Sequence, residues 1–174
     1  MLLNVIFTVK VTIMAIHKLN LEDFLEDVDY ILIAIHSRLE DYRLAYYLNK
    51  NLNLSLIRRA QDIDYKYFSA AYSIFEWKDE ANLITYNLVS NICKREEDSL
   101  QSSGSLFTNQ EKIIKSYNLI PELKNVDYLM KITKEDLQIS EQLIVNKIQE
   151  IPQVITTYTV NVDQIKSKDN LIFN

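Results

Sequence analysis

The scarcity of glycine constrains this chain more than any other feature, because Gly104 is its single glycine. Loops that cradle phosphate groups, and the tight turn that presents a nucleophilic serine, need several glycines at fixed spacing. There the backbone must turn sharply or approach a ligand closely. The sequence therefore excludes both kinds of site in their usual form.

Size and charge limit the fold and the partners. With 174 residues, of which 48% are hydrophobic, the chain is long enough for one buried core and rather short for two. The formal net charge of -5 provides no overall basic field for nucleic acid or an anionic membrane, although it allows a local basic surface. The single cysteine, Cys93, is typical of a reducing compartment. We therefore predict one cytoplasmic domain.

The first thirteen residues are apolar and rich in β-branched side chains, and their first basic residue, Lys10, comes late. A secretory signal starts with basic residues and ends at a small-residue cleavage site, and thirteen residues are too few to cross a bilayer as a helix. We interpret residues 1–13 as a non-native extension or a tail, with Met14 as the favoured start. We expect a single domain over residues 14–162 and a loosely held tail over residues 163–174.

A strand, a helix and a second strand are predicted in the first part of that domain. Residues 28–36 form a nearly continuous apolar run, which is typical of a strand covered on both faces. Ser37 and Glu40 have the spacing of a capping box, which predicts a helix over residues 38–50 with Leu44, Ala45 and Leu48 on one face. Residues 54–59 then form the second strand. Such a βαβ unit favours two parallel strands.

The middle of the chain has the period-two pattern of antiparallel strands. Residues 67–78 and 83–93 alternate in polarity around a polar turn at residues 79–82, which predicts a hairpin. Residues 94–104 are charged and serine-rich, and we interpret them as a mobile loop. One more strand is expected within residues 106–119.

A second βαβ unit follows Pro121, which should end the preceding strand near Ile120. We predict a strand over residues 126–132, a capping signal at Thr133 and Asp136, a helix to about Glu150 and a strand over residues 153–162. The predicted fold is therefore α+β. It has a mixed sheet of about six to seven strands, built from two βαβ units that flank an antiparallel meander, with both main helices on one face.

Six residues within one short stretch carry a resemblance to a known family: Ile120, Pro121, Glu122, Val126, Asp127 and Tyr128. They complete the pattern of the IPExxxVDY family of the Bacteroidetes, which this chain resembles over about residues 14–160. Residues 14–19 and 35–45 add to the likeness. No activity is assigned to that family, so the resemblance implies none here.

Two groups of residues could carry chemistry. Glu122 and Asp127 could act as an acid–base pair. We favour a structural role, with Glu122 in a turn and Asp127 as an anchor for a loop amide, because no third catalytic partner is visible nearby.

His36 would lie at a strand end, with Glu40 and Asp41 one turn further on. It could be a base or a ligand there, but we favour a histidine with ordinary structural contacts. We expect no metal and no cofactor.

A basic and aromatic surface is the remaining candidate. Arg58, Arg59 and Trp77 could contact RNA, although a solvated rim is the favoured interpretation on an acidic protein. The tyrosine-rich strands could instead form a protein interface or a surface for self-association. Three hypotheses result: a non-enzymatic protein-interaction or scaffold module, which we favour, an RNA-associated protein, and a small enzyme with a site near His36 and Asp127.

Overall fold

The computed structural model describes residues 30–65, 70–98, 112–134 and 140–173. The predictions for residues 1–13 and for Met14 lie outside this part of the chain. The described elements are β1 (Tyr30–Ser37), α1 (Asp41–Leu52), β2 (Ile57–Arg58), β3 (Ile63–Tyr65), β4 (Ala70–Tyr72), β5 (Ile74–Asp79), β6 (Ile84–Ser90), β7 (Ile92–Asp98), β8 (Lys112–Asn118), β9 (Tyr128–Lys134), α2 (Glu141–Gln149) and β10 (Val154–Thr159).

Six of these strands form the principal sheet, in the order β10-β1-β9-β6-β5-β2. The α+β class is confirmed, but the prediction of a mixed sheet is wrong, because every neighbouring pair is antiparallel. The two strands of each predicted βαβ unit do run in the same direction. Other strands are inserted between them, β1 between β9 and β10 and three strands between β1 and β2, so no parallel pair forms.

Both helices cover one face of this sheet, as predicted, and we call it the helix face. Leu44, Ala45 and Leu48 of α1 and Ile144 and Ile148 of α2 belong to a single apolar cluster with every second residue of the central strands. The spacing of these buried positions matches one side of a helix, and removing such a stripe from water stabilises the fold. The sheet residues in this cluster are Ile31, Ile33, Ile35, Phe75, Ile84, Leu88, Tyr128, Met130, Ile132 and Val154.

The opposite face, which we call the tail face, is covered by the segment around Pro121 and by the C-terminal segment. Ile120 and Val126 are buried against Leu32 and Leu129 of the sheet. Two short helical turns, 162–164 and 168–171, complete the cover, with Ile165 and Leu171 buried. The prediction of a loosely held tail is therefore wrong for residues 163–173, because the apolar tail face needs this cover.

Neither predicted capping signal is used. Glu40 is the N-cap of α1 without a side-chain hydrogen bond. Ser37 lies before the helix, where its hydroxyl accepts from the amide of Leu39 at 3.2 Å and donates to the carbonyl of Gln153 at 3.0 Å. In the second unit Thr133 lies inside β9, where it pairs with both Tyr30 and Thr85. β9 extends to Lys134 and α2 begins at Glu141; residues 135–139, with Asp136, lie outside the described part of the chain.

The predicted hairpin is confirmed as β5 and β6, and the strand expected within residues 106–119 is β8. The mobile loop predicted for residues 94–104 is wrong at its start, where residues 94–98 belong to β7 and pair with β8. Opposite charges support this ribbon, with the ammonium of Lys115 2.6 Å from the carboxylate of Glu97. Residues 99–104 lie outside the described part of the chain.

Candidate interaction surface

The loop that contains Ile120 and Pro121 is held by the side chain of Asn91, which is fully buried. Its amide nitrogen donates to the carbonyls of Leu123 at 2.8 Å and Val126 at 2.9 Å, and its oxygen accepts from the amide of Ile120 at 2.9 Å. One side chain thus satisfies the amide of Ile120 and the carbonyl of Val126, which would otherwise be buried without partners at a cost in free energy, and adds a second bond to the carbonyl of Leu123, which also accepts from the amide of Val126 at 3.1 Å. Ile120 and Val126 act as core residues that this loop delivers to the tail face.

Glu122 binds the C-terminal segment. Its carboxylate accepts from the amides of Lys166 at 2.9 Å and Ser167 at 3.1 Å, and from the hydroxyl of Ser167 at 2.7 Å. The hydroxyl of Ser167 is the main cause that lowers the pKa of Glu122, because these donors favour the ionised form. At neutral pH the ionised carboxylate of Glu122 therefore holds the C-terminal segment in place.

Asp127 and Tyr128 hold the connection between β1 and α1. The carboxylate of Asp127 accepts from the amide of Ser37 at 3.0 Å, and the hydroxyl of Tyr128 donates to the carbonyl of Leu39 at 2.6 Å. The hydroxyl of Ser37 accepts from the amide of Leu39 at 3.2 Å and donates to Gln153. Together these bonds tie the β1–α1 connection to the start of β10.

The phenol of Tyr128 stays protonated at neutral pH. Burial, and to a smaller extent the charges of Asp41, Asp127 and Glu40, together raise the pKa of Tyr128 to about 12. A protonated phenol can donate, which is the role it has toward Leu39. We therefore infer that Tyr128 positions the loop as a hydrogen-bond donor.

These connections border a shallow, open cleft of about 480 Å³, lined by Arg38, Leu39, Gln153 and Ile155. It opens beside β10, the outermost strand of the principal sheet. Ile155 keeps 62% of its side chain exposed and Tyr158 keeps 41%. The sequence of β10, VITTYT, contains no charged residue. The cleft and the strand therefore form one continuous, largely apolar surface with the guanidinium of Arg38 at its end.

His36 lies on the tail face beside this surface, and its ring stacks on Tyr158 with centroids 5.9 Å apart. Glu40 and Asp41 lie at the start of α1, where their charges act on Tyr128 of the helix face. Within the described ranges, no hydrogen bond links His36 to Glu40, Asp41 or Asp127. The structure therefore does not bring the predicted polar cluster together around the imidazole.

Arg58 and Trp77 lie near the opposite edge of the sheet. The guanidinium of Arg58 is 2.5 Å from the carboxylate of Asp62 and stands over the ring of Phe75. Trp77 stacks on Tyr86 with centroids 5.4 Å apart and an interplanar angle of 16°. The amide of Arg59 donates to a carbonyl of β5. These contacts engage Arg58 and Trp77 within the protein, as expected for a structural rim.

Sequence reasoning missed Asn91 and Gln149, the residues that fix the motif loop and the outer edge of β10. Asn91 gives little signal, because it lies within the period-two run of residues 83–93, where polar residues are expected at alternate positions. Gln149 gives no signal, because a glutamine near the end of a helix is usually a solvated residue.

No protein-family model, curated protein sequence or solved structure matches the chain. Among the described residues, no group of three or more histidine, cysteine, aspartate or glutamate side chains is placed to hold a metal ion. The two described helices are both too short and too polar to cross a membrane.

Proposed function

We propose that this chain is a non-enzymatic protein-interaction module that binds through β10 and the adjoining cleft. The observation that supports this most strongly is the edge position of a charge-free strand with Ile155 62% exposed. Edges of this kind are normally shortened, charged or covered, since their free amides and carbonyls can pair with another chain. The complete pattern from Ile120 to Tyr128 supports membership of the IPExxxVDY family, and the single cysteine supports a cytoplasmic location.

The contacts of the motif residues favour this function over catalysis. Glu122 is engaged by three donors and Asp127 by the amide of Ser37. Their carboxylates therefore serve to hold the C-terminal segment and the loop that borders the cleft. A preformed loop lowers the conformational entropy that a binding surface loses when a partner docks.

The chemistry of the surface indicates an extended protein segment as the partner. Backbone pairing to a sheet edge supplies affinity, and an adjoining pocket for a side chain supplies specificity. Leu39 and Ile155 would contact an apolar side chain in the cleft, and Arg38 would favour an acidic residue beside it.

An affinity pull-down from the source cell, with and without nuclease, tests this function. Ile155→Lys places a charge on the edge, and Leu143→Lys is the matched control, because Leu143 is an exposed helix residue with 63% exposure. We expect a protein partner that survives nuclease, that is lost with Ile155→Lys and that is retained with Leu143→Lys. Capture that depends on RNA, or that is equally strong with both variants, would contradict the proposal.

A further inference from the structure

The outward-facing backbone groups of β10 can be assigned from its pairing with β1. The amide of Val160 donates to the carbonyl of Leu32 at 2.8 Å. In an antiparallel pair, bonded residues alternate with residues whose amides and carbonyls point away. The register pairs Tyr158 with Ala34 and Thr156 with His36. The backbone groups of Thr157 and Thr159 therefore point to the outer edge.

A side chain of the same protein occupies part of this edge. The carboxamide oxygen of Gln149, in α2, accepts from the amide of Thr157 at 3.2 Å, and its nitrogen donates to the carbonyls of Val154 and Ile155, both at 3.5 Å. Gln149 thus presents an acceptor and a donor, as a pairing strand does. The first bond is at the long end of the normal range and the other two lie beyond it, so another strand could displace them at low cost.

The free edge is also complementary to itself. Antiparallel pairing of two copies of β10 about Thr157 places Tyr158 opposite Thr156, and it places Thr159 opposite Ile155, which is the extra residue where the pairing of β10 with β1 shifts register. The facing residues are β-branched or aromatic and uncharged, which is the composition that favours cross-strand pairs. The other described edges differ, since β2 has two residues, β3 and β4 have three each, and β7 and β8 carry Lys94, Lys112 and Lys115. Lysines on an edge oppose pairing.

The same register brings opposite charges together. Beyond Thr159, the second copy continues through Asn161 toward the rim of the cleft, where Gln153 of the first copy lies. Asp163 follows in a short helical turn and is exposed. It would lie at the same end of the paired strands as Arg38, which lines the cleft. A two-fold arrangement makes this contact twice.

We propose that the partner of the β10 edge is a second copy of this chain, and that Gln149 limits their pairing by occupying the edge. This inference rests on the proposed function and names its partner. The two copies form one continuous antiparallel sheet, and each copy must release its Gln149 before Thr157 can pair with Thr157 of the other.

Sedimentation velocity of the full chain over a concentration series tests the inference. Gln149→Ala removes the competing carboxamide, and alanine keeps the helix. Gln142→Ala is the matched control, because Gln142 lies on the same helix and bonds only within it, to Asn146 at 2.9 Å. We expect Gln149→Ala to tighten dimer formation about tenfold, since the three weak bonds of Gln149 in each copy no longer compete. Gln142→Ala should match the unchanged protein.

A proline at the edge provides the opposite test. Thr159→Pro removes an outward amide without breaking a bond to β1. We expect it to abolish dimerisation in the Gln149→Ala background, while circular dichroism stays that of the folded chain. The inference is overturned if Gln149→Ala stays monomeric at all concentrations, or if its dimer survives a folded Thr159→Pro. Nuclease-resistant capture of a different protein, lost with Ile155→Lys, would then leave the proposed function standing without this partner.

Discussion

Replacing Asn91 by alanine should destabilise the protein more than any exposed substitution in the same loop. The change leaves the carbonyl of Val126 and the amide of Ile120 without a partner, whereas the carbonyl of Leu123 keeps its bond from the amide of Val126. Each buried backbone group left unpaired costs about 1–3 kcal/mol, so after partial relaxation the two groups should cost about 2–5 kcal/mol together. Domains of this size have a free energy of unfolding of about 5–15 kcal/mol.

Urea unfolding followed by the fluorescence of Trp77 measures this cost. Asn118→Ala is the control, because Asn118 makes one exposed bond in the same region, to the carbonyl of Lys124 at 3.2 Å, and should cost less than about 1 kcal/mol. If Asn91→Ala does not fold, Asn91→Asp keeps the acceptor for the amide of Ile120 and gives the comparison. A loss for Asn91 within about 1 kcal/mol of that for Asn118 would refute the reasoning.

Three further predictions follow from single contacts. The donors around Glu122 lower its pKa from the ordinary 4.5. The free energy of unfolding should therefore exceed that of Glu122→Gln by its full amount above pH 4.5, and this difference should be lost as the pH falls through the lowered pKa. Urea titrations at several pH values measure the difference, and a difference that does not change with pH would show that the charge of Glu122 does not hold the C-terminal segment. Tyr128→Phe removes the donor to Leu39 and should cost about 1 kcal/mol, with faster amide exchange in the β1–α1 connection; unchanged exchange there would show that Tyr128 does not hold the loop. Leu171→Ala empties a fully buried site and should cost about 2–4 kcal/mol in the same unfolding assay, whereas a loss below 1 kcal/mol would mean that the C-terminal segment is not part of the core.

The faces of the elements could be predicted from the sequence, because burial repeats with the period of the element. The stripe of Leu44, Ala45 and Leu48 gave α1 and its buried side, and alternation gave the hairpin of β5 and β6. Both signals are local. They depend only on residues that lie within one or two turns of each other.

The pairing of the strands could not be predicted, because it depends on residues far apart in the chain. A βαβ pattern fixes the direction of its two strands but does not prevent others from lying between them, as β1 does between β9 and β10. The capping signal at Thr133 failed for the same reason, since pairing with β1 and β6 outweighs a local helix signal.

The roles in the candidate surface depend on long-range contacts even more strongly. The motif could be recognised as a unit, and the structure gives each polar member a partner: Ser167 for Glu122, Ser37 for Asp127 and Leu39 for Tyr128. These partners lie 45, 90 and 89 positions away in the chain. No spacing rule connects residues at such separations.

Site-specific photo-crosslinking in the source cell tests the central claim, that the β10 edge contacts another protein chain, most directly. A photoreactive residue at position 155 is compared with one at position 143, which is equally exposed on α2. The account predicts covalent adducts with a protein, a second copy included, from position 155 and few or none from position 143. Equal yields from the two positions, or no protein adduct from position 155, would contradict it.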